Sequence, residues 1–144
     1  MSQKFTNSIE SALKALDTFL KNSSRQGREN EIVNLFAHTF LSKYVDISQI
    51  GIEVAVQQLP DQWKQLVRKD LVVRWKPNQT VWNQKWNPVN NPIAIIERKV
   101  NDITKCEGDI EWLKSFVKIY PTVVCYSVCA FIKNDRGMKY KKIS

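Results

Sequence analysis

KDLVVRW at residues 69–75 and IAIIERKV at residues 93–100 decide how this chain folds. Both are short, β-branched and nearly free of helix-favouring spacing, so both read as strands. The second is apolar on both faces through Ile96, the pattern of a strand buried in the middle of a sheet. Between them, Lys76 to Pro92 spans seventeen residues with three prolines and many Asn and Gln, too long for a tight turn. The two strands are therefore expected to pair antiparallel across a large hairpin excursion.

Around this pair the rest of the chain falls into place. Residues 8–21 set Ile9, Leu13, Leu16 and Leu20 at helical spacing, and Asn7 with Glu10 has the form of an N-cap with its reciprocal partner. KNSSRQG at residues 21–27 breaks that helix. A second helix is expected from Arg28 to Ser42, with Ile32, Leu35, Phe36 and Phe40 turned inward, and Gly51 to Gln58 reads as a strand. Thr104 with Glu107 opens a third helix that Pro121 stops. Thr122 to Ile132 is the most strand-like run in the chain. The order α-α-β-β-β-α-β predicts one α/β domain, a mixed sheet flanked by helices: an N-terminal helix over 8–21, a core over 28–132 and a basic tail over 133–144.

Composition excludes several classes. The chain has 144 residues, 43% of them apolar, which suits one packed domain and is too apolar for disorder. No apolar run approaches the ~18 residues of a membrane span. The opening residues MSQKFTNSIESALKAL lack the continuous apolar stretch of a secretory signal. Cys106, Cys125 and Cys129 form no CxxC pair and are odd in number, so reduced thiols in a cytoplasmic protein are expected rather than a disulfide framework. Cys125 and Cys129 share one strand face and read as small core residues. The lone His38 cannot build a His-rich zinc centre and reads as structural. The four scattered glycines form no phosphate-cradling loop. The net charge of +8, half of it in residues 133–144, suits a polyanionic partner.

The chemistry-bearing residues lie on the opening strand pair. Glu97 and Lys99 are two apart on one strand and so share a face. If Trp75 lies opposite Pro92, Asp70 falls opposite Glu97 and the two carboxylates converge. Facing carboxylates repel, and a hard cation removes that cost; Mg²⁺ uses one or two carboxylates plus water and substrate phosphate. A lysine beside them can order the attacking water and offset charge developing on phosphate. Asp70, Glu97 and Lys99 thus form a minimal set for metal-assisted phosphodiester hydrolysis. Glu53, on another strand, reads as a solvent-face residue.

On these residues the chain resembles the PD-(D/E)xK nuclease superfamily, the restriction-endonuclease-like fold. That fold has an α-β-β-β-α-β core, with an acid on its second strand and an acid-x-lysine on its third. Asp70 and Glu97-Arg98-Lys99 match those motifs, while Lys69 stands where the usual proline would be. RENEIVNLF offers Glu29 for the glutamate that many members carry on the first core helix, with Glu31 as the fallback. The resemblance implies a Mg²⁺- or Mn²⁺-dependent endonuclease acting on DNA. Asp70 and Glu97 would be metal ligands together with the Arg98 main-chain carbonyl and Glu29, and Lys99 would be catalytic. In the hairpin, Arg74, Lys76, Trp82, Lys85 and Trp86 interleave cations with aromatics and are candidate nucleic-acid contacts, the competing reading being a small aromatic cluster that staples the loop. Specificity would come from this hairpin, a homodimer partner or another subunit. The alternative function is a non-catalytic DNA-binding or protein-interaction module on the same fold.

Overall fold

The computed structural model describes residues 3–23, 29–57, 66–76, 92–101, 103–133 and 135–143. Within them a five-stranded mixed sheet carries helices on both faces. The strands are β1 (Ile50–Gln57), β2 (Leu66–Val73), β3 (Ala94–Val100), β4 (Val124–Phe131) and β5 (Gly137–Ile143), adjacent in that order. β1, β2 and β3 form an antiparallel meander, β4 runs parallel to β3, and β5 returns antiparallel to β4. The parallel β3–β4 step needs a crossover, which α3 (Ile103–Ile119) supplies.

Two cores result. On one face, α1 (Gln3–Asn22) buries Ile9, Leu13, Leu16 and Leu20 with Phe36, Leu71, Ile96 and Tyr126. On the other, α3 buries Leu113 and Phe116 with Val72, Ile95, Cys125 and Ile143. β3 and β4 are thus covered on both sides, which is why their sequences show long apolar runs rather than strict alternation.

Several local expectations change. α1 begins at Gln3, so Asn7 lies inside the helix and accepts from the Gln3 side chain (2.9 Å) instead of capping. Glu10 turns to the sheet and accepts from the hydroxyls of Tyr126 (3.3 Å) and Tyr140 (3.0 Å). α3 begins at Ile103, so Thr104 too lies inside its helix. The expected second helix is α2 (Glu29–Leu35), continued by a π turn over Phe36–Phe40 and a 3-10 turn over Leu41–Lys43.

Residues 137–143, read in sequence as part of a basic tail, form β5. Met138 and Tyr140 pack toward α1, Ile143 packs toward α3, and Lys139, Lys141 and Lys142 face solvent. Lysines on an edge strand discourage pairing with other chains. Gly137 has φ 150°, and a Cβ there would sit 2.7 Å from Asp17 Oδ1, the atom that accepts the Met138 N–H at 2.6 Å. Only glycine gives α1 and β5 that approach.

The expectation of three reduced thiols is also corrected. Cys106 on α3 and Cys129 on β4 form a disulfide, their Cα atoms 6.0 Å apart. They are 23 residues apart in sequence, and only the packing of α3 on β4 brings them together. Cys125 is free and buried in the α3-side core, where burial pushes its thiol up to about 12. His38 is exposed, and its backbone carbonyl accepts from Ser42 Oγ at 2.6 Å. No helix among the described residues is long and apolar enough to cross a membrane.

Candidate functional site

The β2–β3 ladder runs through Val73–Ala94, Val72–Ile95 and Leu71–Ile96, the register that puts Asp70 opposite Glu97 on the next rung. That rung is closed by side chains. The Asp70 N–H donates to Glu97 Oε1 at 3.0 Å, and the Arg98 N–H donates to Asp70 Oδ2 at 2.8 Å. Beyond Leu71–Ile96, two side-chain carboxylates thus accept backbone N–H groups between β2 and β3, and each keeps its second oxygen outside these two bonds.

The same rung is irregular on the β1 side. Pairing passes from Ile52–Leu71 to Val54–Lys69, and the intervening Glu53, exposed as expected, has φ 55°. At this left-handed residue the facing of β1 reverses. Ile50 and Ile52 pack toward α1, whereas Val54 and Val56 pack toward α3. β2 follows its partner: Leu71 and Val73 face the α1 core, yet the Lys69 ammonium lies 3.5 Å from the ring centroid of Trp112 on α3. Simple alternation would have placed Lys69 on the same face as Leu71.

Glu97 and Lys99 share the α3-facing side of β3 with Ile95, and Asp109 approaches from α3, its Oδ2 3.9 Å from Lys99 Nζ. Asp70, Glu97, Asp109, Lys69 and Lys99 therefore interact as one charged cluster. Burial pushes the Glu97 carboxyl up to about 7; attraction from Lys69 opposes the rise and repulsion from Asp70 adds to it. Burial holds the Lys69 ammonium below its ordinary value, against the pull of Glu97, Asp109 and Asp70. Asp109 is raised by burial, with Lys99 and then Lys69 opposing.

The other residues read from the sequence are spread more widely. The Arg98 side chain points to the opposite face, buried over the Phe36 ring (4.6 Å), with Nη1 donating to the Ile32 carbonyl at 2.6 Å. Only its main chain lies at the Asp70–Glu97 rung. Glu29 opens α2, but its side chain lies outside the description; Glu31 is exposed on the same helix. Arg74 is half-buried beside Gly51, where an added Cβ would lie 2.8 Å from its Nη2. Lys76 is exposed, as is Trp75. Trp82, Lys85 and Trp86 lie outside the described residues.

Lys69 and Asp109 are the cluster members that sequence reasoning missed. Lys69 was hidden by the facing reversal at Glu53, which the backbone marks with a positive φ. Asp109 had a weak signal: it lies on α3, the crossover that must cover β3 and β4.

The donor set suits a hard divalent cation. Mg²⁺ is commonly held by one or two carboxylates, with water and substrate oxygens completing six ligands. Asp70 and Glu97 provide two carboxylates on one rung that repel each other, and the burial that opposes Glu97 ionisation is the cost a dication would relieve. Among the described residues no group of three or more His, Cys, Asp or Glu forms a metal cage. Comparison with protein-family models, curated proteins and solved structures finds no match to this chain.

Proposed function

We propose that this chain is a divalent-metal-dependent phosphodiesterase acting on nucleic acid, DNA in the first instance, on the restriction-endonuclease-like plan of the PD-(D/E)xK superfamily. The observation that carries the reading is the Asp70–Glu97 rung, where each carboxylate accepts a backbone N–H from the neighbouring strand. The order α2, β1, β2, β3, α3, β4 supports it, being the α-β-β-β-α-β sequence that the resemblance implies.

Asp70 and Glu97 would hold Mg²⁺ or Mn²⁺, with the Arg98 carbonyl beside them. Such an ion, when bound, supplies a more acidic water and polarises a phosphoryl oxygen. The protein's own part is to fix the two carboxylates. Each accepts an N–H from the neighbouring strand, so neither has to be ordered when substrate arrives. Lys99, two residues beyond Glu97 on the same face, places a cation where negative charge grows on phosphorus-bound oxygens. The net charge of +8 favours approach of a polyanion, giving binding that weakens as salt rises.

The test is cleavage of supercoiled plasmid, single-stranded DNA and RNA by the purified chain with Mg²⁺, Mn²⁺ or Ca²⁺, alongside calorimetric Mg²⁺ titration. Mg²⁺ or Mn²⁺ should support cleavage. Glu97→Gln and Lys99→Ala should each slow it by at least ~10²-fold, as loss of a charge-stabilising group does. Absence of divalent-ion binding, or activity retained by both variants, refutes the proposal. DNA binding without metal-dependent cleavage would instead assign the chain as a non-catalytic DNA-binding module.

A further inference from the structure

We propose that Asp109 is a positioning residue for Lys99, an assignment that rests on the phosphodiesterase reading and adds α3 to its working parts. Lys99 reaches its place on a flexible four-carbon stem, and a lysine used against phosphate must be held on the substrate side of the sheet rather than swinging into solvent. Asp109 is placed to hold it. Its Oδ2 lies 3.9 Å from Lys99 Nζ, and both side chains are only about one-fifth exposed (20% and 22%). That oxygen is buried and, among the described residues, accepts no hydrogen bond. A buried carboxylate oxygen in that condition is costly unless a cation serves it. A slight closure of the ammonium toward it satisfies the pair.

α3 is fixed so that this distance is set by the fold. Asp109 lies one turn beyond Cys106, and Cys106 is bonded to Cys129. Cys129 is the β4 residue paired with Lys99 in the β3–β4 register. Ser127 Oγ adds a second tie, donating to the Cys106 carbonyl at 3.2 Å. The disulfide therefore joins the helix carrying the anchor to the residue beside the lysine being anchored. Asp109 acts through Lys99; the two carboxylates that accept N–H groups between β2 and β3 are those of Asp70 and Glu97.

Two measurements test this, and they separate its failure from failure of the phosphodiesterase reading. The first is single-turnover plasmid cleavage by the oxidised full chain with Mg²⁺. Asp109→Asn should lower the rate constant by about 10–100-fold, the usual cost of losing a group that orients an active one. Plasmid affinity and melting temperature should stay near wild type, and Asp109→Glu should recover part of the rate. The second needs no activity. The rate at which formaldehyde and a borohydride donor methylate Lys99, followed by peptide mass spectrometry, should rise several-fold in Asp109→Asn, while the exposed Lys139 keeps its rate. An unchanged Lys99 rate in a folded Asp109→Asn protein overturns the assignment, as does wild-type cleavage by that variant. A wild-type chain that neither binds Mg²⁺ nor cleaves overturns the phosphodiesterase reading, and with it the role in reaction given to Lys99.

Discussion

Replacing Glu97 with glutamine removes a buried carboxyl whose ionisation the fold opposes. Burial pushes it up to about 7 in the folded chain, against an ordinary value of 4.5, with the attraction of Lys69 opposing the rise. The folded state therefore holds a proton that the unfolded chain gives up between those two pH values. Stability from this group is fully present below the unfolded value and is lost as pH rises toward the folded one. At about 1.4 kcal/mol for each pH unit of separation, the loss by pH 8 is on the order of 3 kcal/mol. Glutamine resembles the protonated acid and still offers an oxygen to the Asp70 N–H, which Glu97 accepts at 3.0 Å. Glu97→Gln should match wild type near pH 4.5 and exceed it at pH 8 by up to about 3 kcal/mol. That corresponds to roughly 6–12 °C in melting temperature for a chain of this size. Urea unfolding of both proteins at pH 5, 6, 7 and 8 without divalent ions, followed by tryptophan fluorescence, measures the difference. A stability gap that does not widen between pH 5 and pH 8, or a variant less stable than wild type at pH 8, refutes the reasoning. Adding Mg²⁺ at pH 8 should narrow the gap by stabilising wild type alone, since a ligand bound only by the folded carboxylate raises its stability by mass action.

Two further predictions follow from the corrected parts of the fold. Denatured but unreduced protein should show one titratable thiol, Cys125, rather than three, and reduction of the Cys106–Cys129 bond should lower stability by about 3.4 kcal/mol on loop-closure grounds, so equal melting with and without reductant would count against the bond. Deleting residues 139–144 removes most of β5 and exposes the core against which Ile143 packs, so the truncated chain should melt well below wild type; unchanged melting would show that β5 adds nothing to the sheet.

The sequence by itself determined the central pairing. A β-rich run ending at Trp75 and an apolar run beginning at Ile93 define antiparallel neighbours, and their register alone brings Asp70 to Glu97. The helices over Ile9–Leu20 and Ile110–Phe116 were legible for the same reason: burial on one side of a regular element leaves a fixed period in the chain. Tertiary structure decided the rest. Lys69 joins the cluster because a single left-handed residue on the neighbouring strand reverses the facing of both strands, a change that leaves no mark in hydropathy. Cys106 and Cys129 pair, and Asp109 meets Lys99, only because α3 crosses back over β3 and β4. Residues 137–143 look like a solvated basic end until Asp17 and the α1 face give Met138 and Tyr140 something to pack against. Periodicity records which side of an element is buried; which charged groups then meet is set by contacts between residues far apart in the chain, and local spacing carries no trace of them.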